Sequence, residues 1–412
     1  MKDTILHKTE QLKDINIKKD IWDIVSYIDT LFKNAIENKV SDIHIEPTED
    51  YIMIRLRQDW DFFVYDKINN RNKSAIITRL KVLAKVKIDE NKKPQDGKII
   101  YYYEPEDQNV DIRFSTLPTK YWEKIVMRIL KQDSSLTNIE ALWLLDVNIE
   151  KVRKALKSTY WIILVSGPTG SWKSTTLFGI LKNYNPLEYN ISTLEDPIEY
   201  DIEFVNQSQV KPEIGYTFGS WLRTLLRQDP DIIMVWEIRD KETATLAVEA
   251  ALTWHLVLST IHTNSAPWTI WRLINMWVEP FLISSAMKMI ISQRLWKRIC
   301  SHCKEEYEPK DIDFEKAKEI LKTILDEESI NNLQFYHWKW CEKCNYTWYK
   351  WRLWIHEVLI VEEYLEPLIL HEASDNELKT EAIKHWMITI VQDWLLKALL
   401  GQTTIEEALK LI

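Results

Sequence analysis

The stretch that decides the fold reads Gly167-Pro168-Thr169-Gly170-Ser171-Trp172-Lys173-Ser174-Thr175. It follows the apolar run 162–165 and precedes a predicted helix from Lys173 to about residue 183. A strand, a glycine-containing turn and a helix that starts with Lys-Ser form a phosphate-binding P-loop. Its backbone N–H groups would cradle phosphate oxygens, while Lys173 reaches the β- and γ-phosphates and the Ser174 hydroxyl binds Mg²⁺. The sequence therefore predicts that residues 167–175 bind a nucleotide, although the motif has glycine where this chain has Trp172.

Trp172 belongs to a wider anomaly in composition. The chain has 20 tryptophans and 7 glycines, whereas average usage predicts roughly 29 glycines at this length. Residues 58–61, with Trp60, and residues 345–352 also read as glycine turns that carry tryptophan. We hypothesise that most of these tryptophans are glycines in the native protein, because a gene that uses UGA for glycine would give this pattern if UGA were read as tryptophan. The alternative is a tryptophan-rich protein with a damaged P-loop.

Length and charge limit the function classes. A chain of 412 residues suits two or three domains, and a net charge of −9 argues against broad attraction to DNA or anionic lipid. No run approaches the about 18 apolar residues of a membrane span, and residues 1–19 lack the apolar core of a signal peptide. The sequence predicts a cytoplasmic protein whose membrane contacts run through partners.

The hydrophobic periodicity predicts an α/β protein and divides the chain into several segments. Alternating runs at 42–57 and 98–130, with helices at 21–36 and 74–87, indicate an α+β domain. Four β-branched runs, at 162–165, 191–194, 232–235 and 256–260, indicate a mostly parallel sheet. The predicted segments are a flexible N-terminus (1–20), an N-terminal α+β domain (21–135), a linker with a short helix (136–155) and a nucleotide-binding α/β domain (156–412) with an insertion at about 296–352.

Acidic and histidine side chains lie beside these apolar runs. Glu195 and Glu237 follow the runs 191–194 and 232–235, whereas His255 precedes and His262 follows the run 256–260. Carboxylates at strand ends can hold Mg²⁺ or orient an attacking water. The alternatives are solvated acids and structural histidines.

Taken together, these segments resemble the secretion ATPases of the type II secretion and type IV pilus assembly family. The four boxes of that family appear in order as Walker A (167–175), the Asp box (193–199), an atypical Walker B (229–240) and the His box (253–264). Residues 41–47 and 113–118 resemble its N-terminal domain. Tryptophan stands where the family carries glycine at positions 60, 122, 172, 236, 254, 277, 348 and 351.

The resemblance implies a RecA-like fold and specific roles. Glu195 corresponds to the general base, Glu237 to the Mg²⁺-linked acid, and His262 to the histidine that senses the γ-phosphate, with His255 supporting it. Arg113 and Arg128 match N-domain arginines that reach the nucleotide; ordinary surface ion pairing is their alternative.

Two CxxC pairs predict a metal site. Cys300 and Cys303 form the first pair, and Cys341 and Cys344 the second. Each pair can bind one side of a tetrahedral Zn²⁺, and two pairs in one cytosolic chain favour zinc over a redox role. Because four thiolates fill the shell, the predicted site is structural. In the resembling family, this element belongs to the secretion or pilus-extension branch.

The sequence thus predicts a hexameric, Mg²⁺-dependent ATPase that powers type IV pilus assembly or type II-like secretion. Its expected partners are further copies of the chain and an inner-membrane platform protein, and no nucleic acid is expected. One alternative is a DNA-transfer ATPase on the same fold, and another is a non-hydrolysing scaffold if Trp172 is genuine.

Overall fold

The computed structural model describes residues 21–58, 61–130, 139–158, 160–198, 202–211, 214–339, 341, 344 and 348–410. Residues 1–20, predicted as a flexible N-terminus, and Asp59 and Trp60, at the centre of a predicted turn, lie outside this part of the chain. The chain forms two compact units, Met1–Gln132 and Asp133–Ile412, which we call the N-terminal unit and the C-terminal unit.

An antiparallel sheet with two helices makes up the N-terminal unit. Its elements are α1 (Ile24–Glu37), β1 (Asp42–Pro47), β2 (Tyr51–Gln58), β3 (Asp61–Asn69), α2 (Lys73–Leu83), β4 (Gln95–Tyr103), β5 (Gln108–Thr119) and β6 (Trp122–Leu130). The strands lie in the order β3-β2-β1-β6-β5-β4. Alternate residues of β1 and β2 are buried, as a half-covered sheet requires. The spacing of Ile28, Leu31 and Ala35 turns one face of α1 onto this core.

A seven-stranded sheet organises the C-terminal unit. Its strands are β7 (Trp161–Ser166), β8 (Ile191–Glu195), β9 (Asn206–Gln209), β10 (Ile232–Val235), β11 (Leu256–Ile261), β12 (Met287–Ile299) and β15 (Tyr349–Ile360). They lie in the order β15-β12-β7-β11-β10-β8-β9, and every neighbouring pair is parallel except β12 and β15. The central strands are buried throughout because helices cover both faces.

The helices of the C-terminal unit give each face of the sheet its own core. They are α3 (Asp146–Leu156), α4 (Lys173–Leu181), α5 (Phe218–Leu225), α6 (Lys241–Leu252), α7 (Ala266–Asn275), α8 (Pro280–Ala286), α9 (Asp311–Leu321), α10 (Glu327–Asn331), α11 (Glu366–Leu370), α12 (Asp375–Lys384), α13 (Ile390–Leu399) and α14 (Ile405–Leu409). Ile162 and Leu164 of β7 face the core beneath α5 to α8, whereas Ile163 and Val165 face the core beneath α3 and α4. This two-sided arrangement is the α/β, RecA-like fold that the sequence predicts.

A small module extends from the β12–β15 pair. Its own two strands are β13 (Lys304–Tyr307) and β14 (Phe335–Trp338), which pair antiparallel. Between them lie α9 and α10, which match the helical insertion predicted between the cysteine pairs. Ala317 and Leu321 of α9 pack with Trp394 of α13 in a separate apolar cluster.

Several predictions at the level of elements are confirmed, and others are corrected. All four β-branched runs form strands of one sheet and pair in parallel, and helices follow residue 362 as predicted. In contrast, β3, β12 and β15 were not predicted. The predicted linker with a short helix (136–155) includes most of α3, and Val152 and Ala155 of this helix are buried in the core of the C-terminal unit.

Candidate nucleotide site

The P-loop lies between the carboxyl end of β7 and the first residue of α4. Gly167 has φ 148° and Gly170 has φ 79°, conformations that side chains rarely adopt. A Cβ on Gly167 would also collide with the carbonyl oxygen of Gln293 in β12. Trp172 occupies the N-cap position of α4, and its backbone is in the left-handed conformation, with φ 60° and ψ 41°. The loop therefore requires glycine geometry at three positions, and a bulky residue occupies one of them.

Lys173 lies folded back over the loop. Its side chain is buried, and Nζ donates to the carbonyl oxygens of Gly167 at 3.0 Å and Pro168 at 3.3 Å. Ser174 and Thr175, on the first turn of α4, are also buried. This arrangement places an ammonium, two hydroxyls and the amino end of a helix around one loop, which is how proteins bind phosphate.

Glu195 ends β8 and is held rigidly. Thr193 Oγ1 donates to Glu195 Oε1 at 2.6 Å, and Gln207 Nε2 donates to the same oxygen at 2.9 Å. The side chain is buried. Two donors on one oxygen fix the plane of the carboxylate, which suits a group that must orient a water molecule.

Glu237 and His262 form a pair on the two neighbouring strand ends. Glu237 follows β10 with φ 95°, and its buried Oε2 lies 2.9 Å from His262 Nε2. Because a carboxylate only accepts hydrogen bonds, Nε2 carries the proton. Arg239 Nε donates to the other oxygen of Glu237, Oε1. Nη1 of the same guanidinium lies 3.6 Å from Asp196 Oδ2.

The pKa of His262 is lowered from its ordinary value of 6.5. Burial is the largest cause, and the positive charges of Lys173 and Arg239 act in the same direction, while a hydrogen bond to the backbone of Gly167 opposes them. The imidazole is therefore neutral at pH 7 and carries a single N–H, which the contact with Glu237 places on Nε2.

These groups meet because parallel strands end at one edge of the sheet. The P-loop, His262, Glu237 and Glu195 follow or end β7, β11, β10 and β8, which are consecutive neighbours in the sheet. Ligands of open α/β sheets bind at this carboxyl edge. We call this set of groups the nucleotide edge.

The structure does not bring His255 to the nucleotide edge, so its predicted supporting role is corrected. His255 directly precedes β11, whereas His262 follows it, and β11 runs parallel to β7. Its Nδ1 lies 3.0 Å from the carbonyl oxygen of Ala250 at the end of α6. The six residues of β11, at about 3.3 Å each, separate the two histidines.

Arg113 and Arg128 lie in the N-terminal unit. They are directly opposed residues of β5 and β6, so their side chains leave the same face of the sheet. Arg128 Nε also pairs with Asp42 Oδ1 at 2.9 Å. The structure thus brings the two arginines together on one face of the N-terminal sheet.

Sequence reasoning missed two supports of the nucleotide edge, the buried Gln293 and the half-buried Gln207. Gln293 contacts the P-loop from β12, and Gln207 contacts Glu195 from β9. Neither lies in a recognisable motif, and their positions depend on which strands become neighbours.

The four cysteines converge as predicted. Their sulfurs all lie within 4.8 Å of one another, with Cys300 and Cys341 at 3.9 Å and Cys341 and Cys344 at 3.5 Å. Four sulfurs about 2.3 Å from a tetrahedral zinc would lie about 3.8 Å apart, so the donor set fits Zn²⁺. These separations exceed the about 2.05 Å of a disulfide bond. We call Cys300, Cys303, Cys341 and Cys344 the tetracysteine cluster.

A P-loop on a parallel sheet, with acids and a neutral histidine at the same edge, defines a P-loop nucleotide-binding protein. The model of the Type II/IV secretion system protein family matches residues 18–410. The chain therefore belongs to that family, whose members include proteins named as secretion and pilus assembly ATPases.

Two curated relatives and one solved structure illustrate the similarity. The type IV pilus assembly ATPase PilB of Thermus thermophilus is 44% identical over 384 residues, which cover 93% of this chain but 42% of that relative. The type II secretion system protein E of Dickeya dadantii is 39% identical over 407 residues, covering 99% of this chain and 79% of that relative. The ATPase DotB of Legionella pneumophila shares the fold, with a TM-score of 0.68 at 20% identity, covering 97% of this chain and 98% of that one. This chain thus spans less than half of the PilB relative. Within its described residues, none of its helices is both long and apolar enough to span a bilayer.

Proposed function

We propose that this chain is an ATP-hydrolysing motor that works as a homohexamer in type IV pilus assembly or type II secretion. The observation that carries the proposal is the nucleotide edge, where Lys173, Glu195, Glu237 and His262 meet around one P-loop. The names of the relatives support the choice of ATP and of the two transport systems. An inner-membrane platform protein is the proposed partner, which would hold a cytoplasmic protein at the membrane.

The geometry suggests a division of labour among the side chains. The ammonium of Lys173 would exchange its present acceptors, the carbonyl oxygens of Gly167 and Pro168, for oxygens of the β- and γ-phosphates. Glu195, held in plane by Thr193, would accept a proton from the attacking water. Ser174 and Glu237 would hold Mg²⁺, which would supply neutralisation of the phosphate charge. His262, in its neutral form, would turn its single Nε2–H from Glu237 to the γ-phosphate.

Arg113 and Arg128 supply the proposed link between chemistry and motion. As opposed residues of adjacent strands, they lie on the same face of the N-terminal sheet. We propose that ATP favours a closed state in which both arginines contact the phosphates, and that loss of the γ-phosphate removes these contacts. The tetracysteine cluster is proposed to bind one structural Zn²⁺ per chain.

Glu195→Gln tests the proposed hydrolysis in a chain that carries Trp172→Gly. The substitution keeps the size of the side chain but removes the base, so turnover should fall by about 10² to 10⁴ while ATP binding and assembly persist. Glu249→Gln, on the exposed face of α6, is the matched control. Normal turnover in Glu195→Gln would refute the assignment of the base.

A non-hydrolysing scaffold is the second candidate, and Trp172 favours it. Its ring packs edge-to-face on Trp354, with centroids 5.3 Å apart, beside Arg352. Trp172 takes the place of the glycine that the motif has directly before its lysine, so a chain that truly carries it would, on this proposal, assemble without turning over ATP.

A further inference from the structure

We infer that most of the tryptophans of this chain are glycines in the functional protein, because its gene decodes UGA as glycine. The backbone φ angles of the tryptophans support this inference independently of the residue counts. Among the described residues, tryptophan has positive φ more often than any other residue type, at nine positions. They are Trp122, Trp143, Trp161, Trp172, Trp254, Trp277, Trp348, Trp351 and Trp386. Tryptophan is among the residues least suited to this region, and glycine is the one suited best.

Helix ends allow a direct comparison with a real glycine. After α13, Gly401 has φ 65°, and the next N–H, of Gln402, donates back to Lys397 O at 2.9 Å. After α12, Trp386 also has φ 65°, and the next N–H, of Met387, donates to Ala382 O at 2.9 Å. This closure is the one that glycine normally makes at the end of a helix.

Two more helices end in the same way. Trp254 follows α6 with φ 71° and Trp277 follows the end of α7 with φ 64°, and the residue after each donates to a carbonyl oxygen five positions back. The side chain of Trp277 is 76% exposed and that of Trp254 is 74% exposed. Burial of the indole therefore does not explain why tryptophan occupies these positions.

Tryptophans inside the core point the same way. The indole N–H groups of Trp221, Trp354 and Trp394 are buried, and none has a hydrogen-bond partner within the described part of the chain. Buried indoles normally find one. Glycine at these positions would leave no such group.

Peptide mass spectrometry of the protein isolated from its natural source tests the inference without any assay of ATP. We expect glycine at position 172 and at the helix ends 254, 277 and 386, encoded by UGA. Tryptophan at position 172, or at any of the three helix ends, would overturn the inference. Because the experiment measures peptide mass alone, failure of the recoding inference is distinguishable from failure of the proposed function.

A second inference rests on the proposed function and on a different observation: we infer that Gln293 is a positioning residue that sets the shape of the P-loop. Its side chain is fully buried between the loop and α4. Nε2 donates to Ser171 O at 2.5 Å, and Oε1 accepts from Thr176 Oγ1 at 2.6 Å. A single amide thus ties the carbonyl before Trp172 to the first turn of the helix.

The backbone of Gln293 constrains the other end of the same loop. Its carbonyl oxygen occupies the space that a Cβ on Gly167 would need, and the preceding residue, Ser292, is paired with Ser166 in β7. Gln293 therefore contacts both ends of the loop without belonging to the nucleotide edge itself. We infer that it holds the N–H groups of residues 170–173 in the orientation that phosphate binding needs.

Gln293→Leu tests this role, with Gln392→Leu as the matched control. Gln392 is also buried and also hydrogen-bonded, but to Thr323 far along the chain from the loop. In the full chain, we expect Gln293→Leu to raise amide hydrogen exchange of residues 169–173 about tenfold, and to weaken ATP binding about tenfold in the presence of Trp172→Gly. Gln392→Leu should lower stability without either effect.

Unchanged exchange of the loop amides in Gln293→Leu would overturn the positioning role. This readout needs no nucleotide, so it separates failure of the Gln293 inference from failure of the proposed ATPase. Rescue by Gln293→Glu at low pH, where a protonated carboxyl can donate to Ser171 O, would support it further, and absence of rescue would count against it.

Discussion

The nucleotide edge and the tetracysteine cluster are both built at the ends of strands, yet they depend on the chain in different ways. The tetracysteine cluster needs four identical side chains, and all four converge within 4.8 Å. The nucleotide edge needs unlike side chains from four strands and, in addition, backbone N–H groups that no side chain obstructs. Its side chains converge, but Trp172 occupies the loop. A site made of backbone is therefore more sensitive to one wrong residue than a site made of side chains.

The largest expected effect separates the two sites. In a chain with Trp172→Gly, Lys173→Ala removes the ammonium that lies over the loop, so ATP binding should fall by about 10² or more, equivalent to roughly 3 kcal/mol. Zinc content should stay the same. Binding of a fluorescent ATP analogue and metal analysis measure both quantities. Lys182→Ala, at the exposed end of α4, is the control and should bind ATP normally.

Removal of one cysteine should have the converse effect. Cys300→Ser leaves three thiolates, so zinc content should fall well below one per chain, and the unfolding free energy should fall by several kcal/mol. ATP affinity should change less than about threefold, because none of the four cysteines lies at the nucleotide edge. Ser301→Ala is the control. Undiminished zinc in Cys300→Ser would show that the cluster is not the binding site.

Mild acid should change turnover at the nucleotide edge through His262. Because the pKa of His262 lies below 6.5, the imidazole stays neutral as the pH falls to that value and becomes charged only below it. Protonation then adds a positive charge beside Lys173 and Arg239, and the charged imidazole is held by the carboxylate of Glu237. Turnover should therefore decrease with a midpoint below pH 6.5, and this acid limb should be absent in His262→Gln. A midpoint above 6.5 would contradict the assignment.

The smallest expected effect is a change in stability that involves neither the nucleotide edge nor the tetracysteine cluster. Trp277→Gly relieves a left-handed tryptophan at the end of α7 and should stabilise the chain by about 1 to 2 kcal/mol. Trp22→Gly is the matched control, because Trp22 is 96% exposed and is not among the residues with positive φ. Thermal unfolding compares the two, and an equal gain in both would argue that exposure rather than backbone strain matters.

Much of the nucleotide edge could be predicted from the sequence, because the position of each group relative to its own strand is visible in the order of residues. The P-loop, Glu195, Glu237 and His262 each follow an apolar run, and parallel strands bring such positions to one edge. The role of His255 was mistaken, since it precedes its strand. Gln293 could not be found, because its contact depends on the non-local pairing of β12 with β7. The cysteines were predictable because chemistry, rather than register, brings four thiolates together.

Turnover of ATP by two chains that differ only at position 172 tests the central claim most directly. The chain with glycine at this position should hydrolyse ATP in the presence of Mg²⁺, and the chain with tryptophan should not. Equal hydrolysis by the tryptophan chain would contradict the requirement for an unobstructed backbone ahead of Lys173.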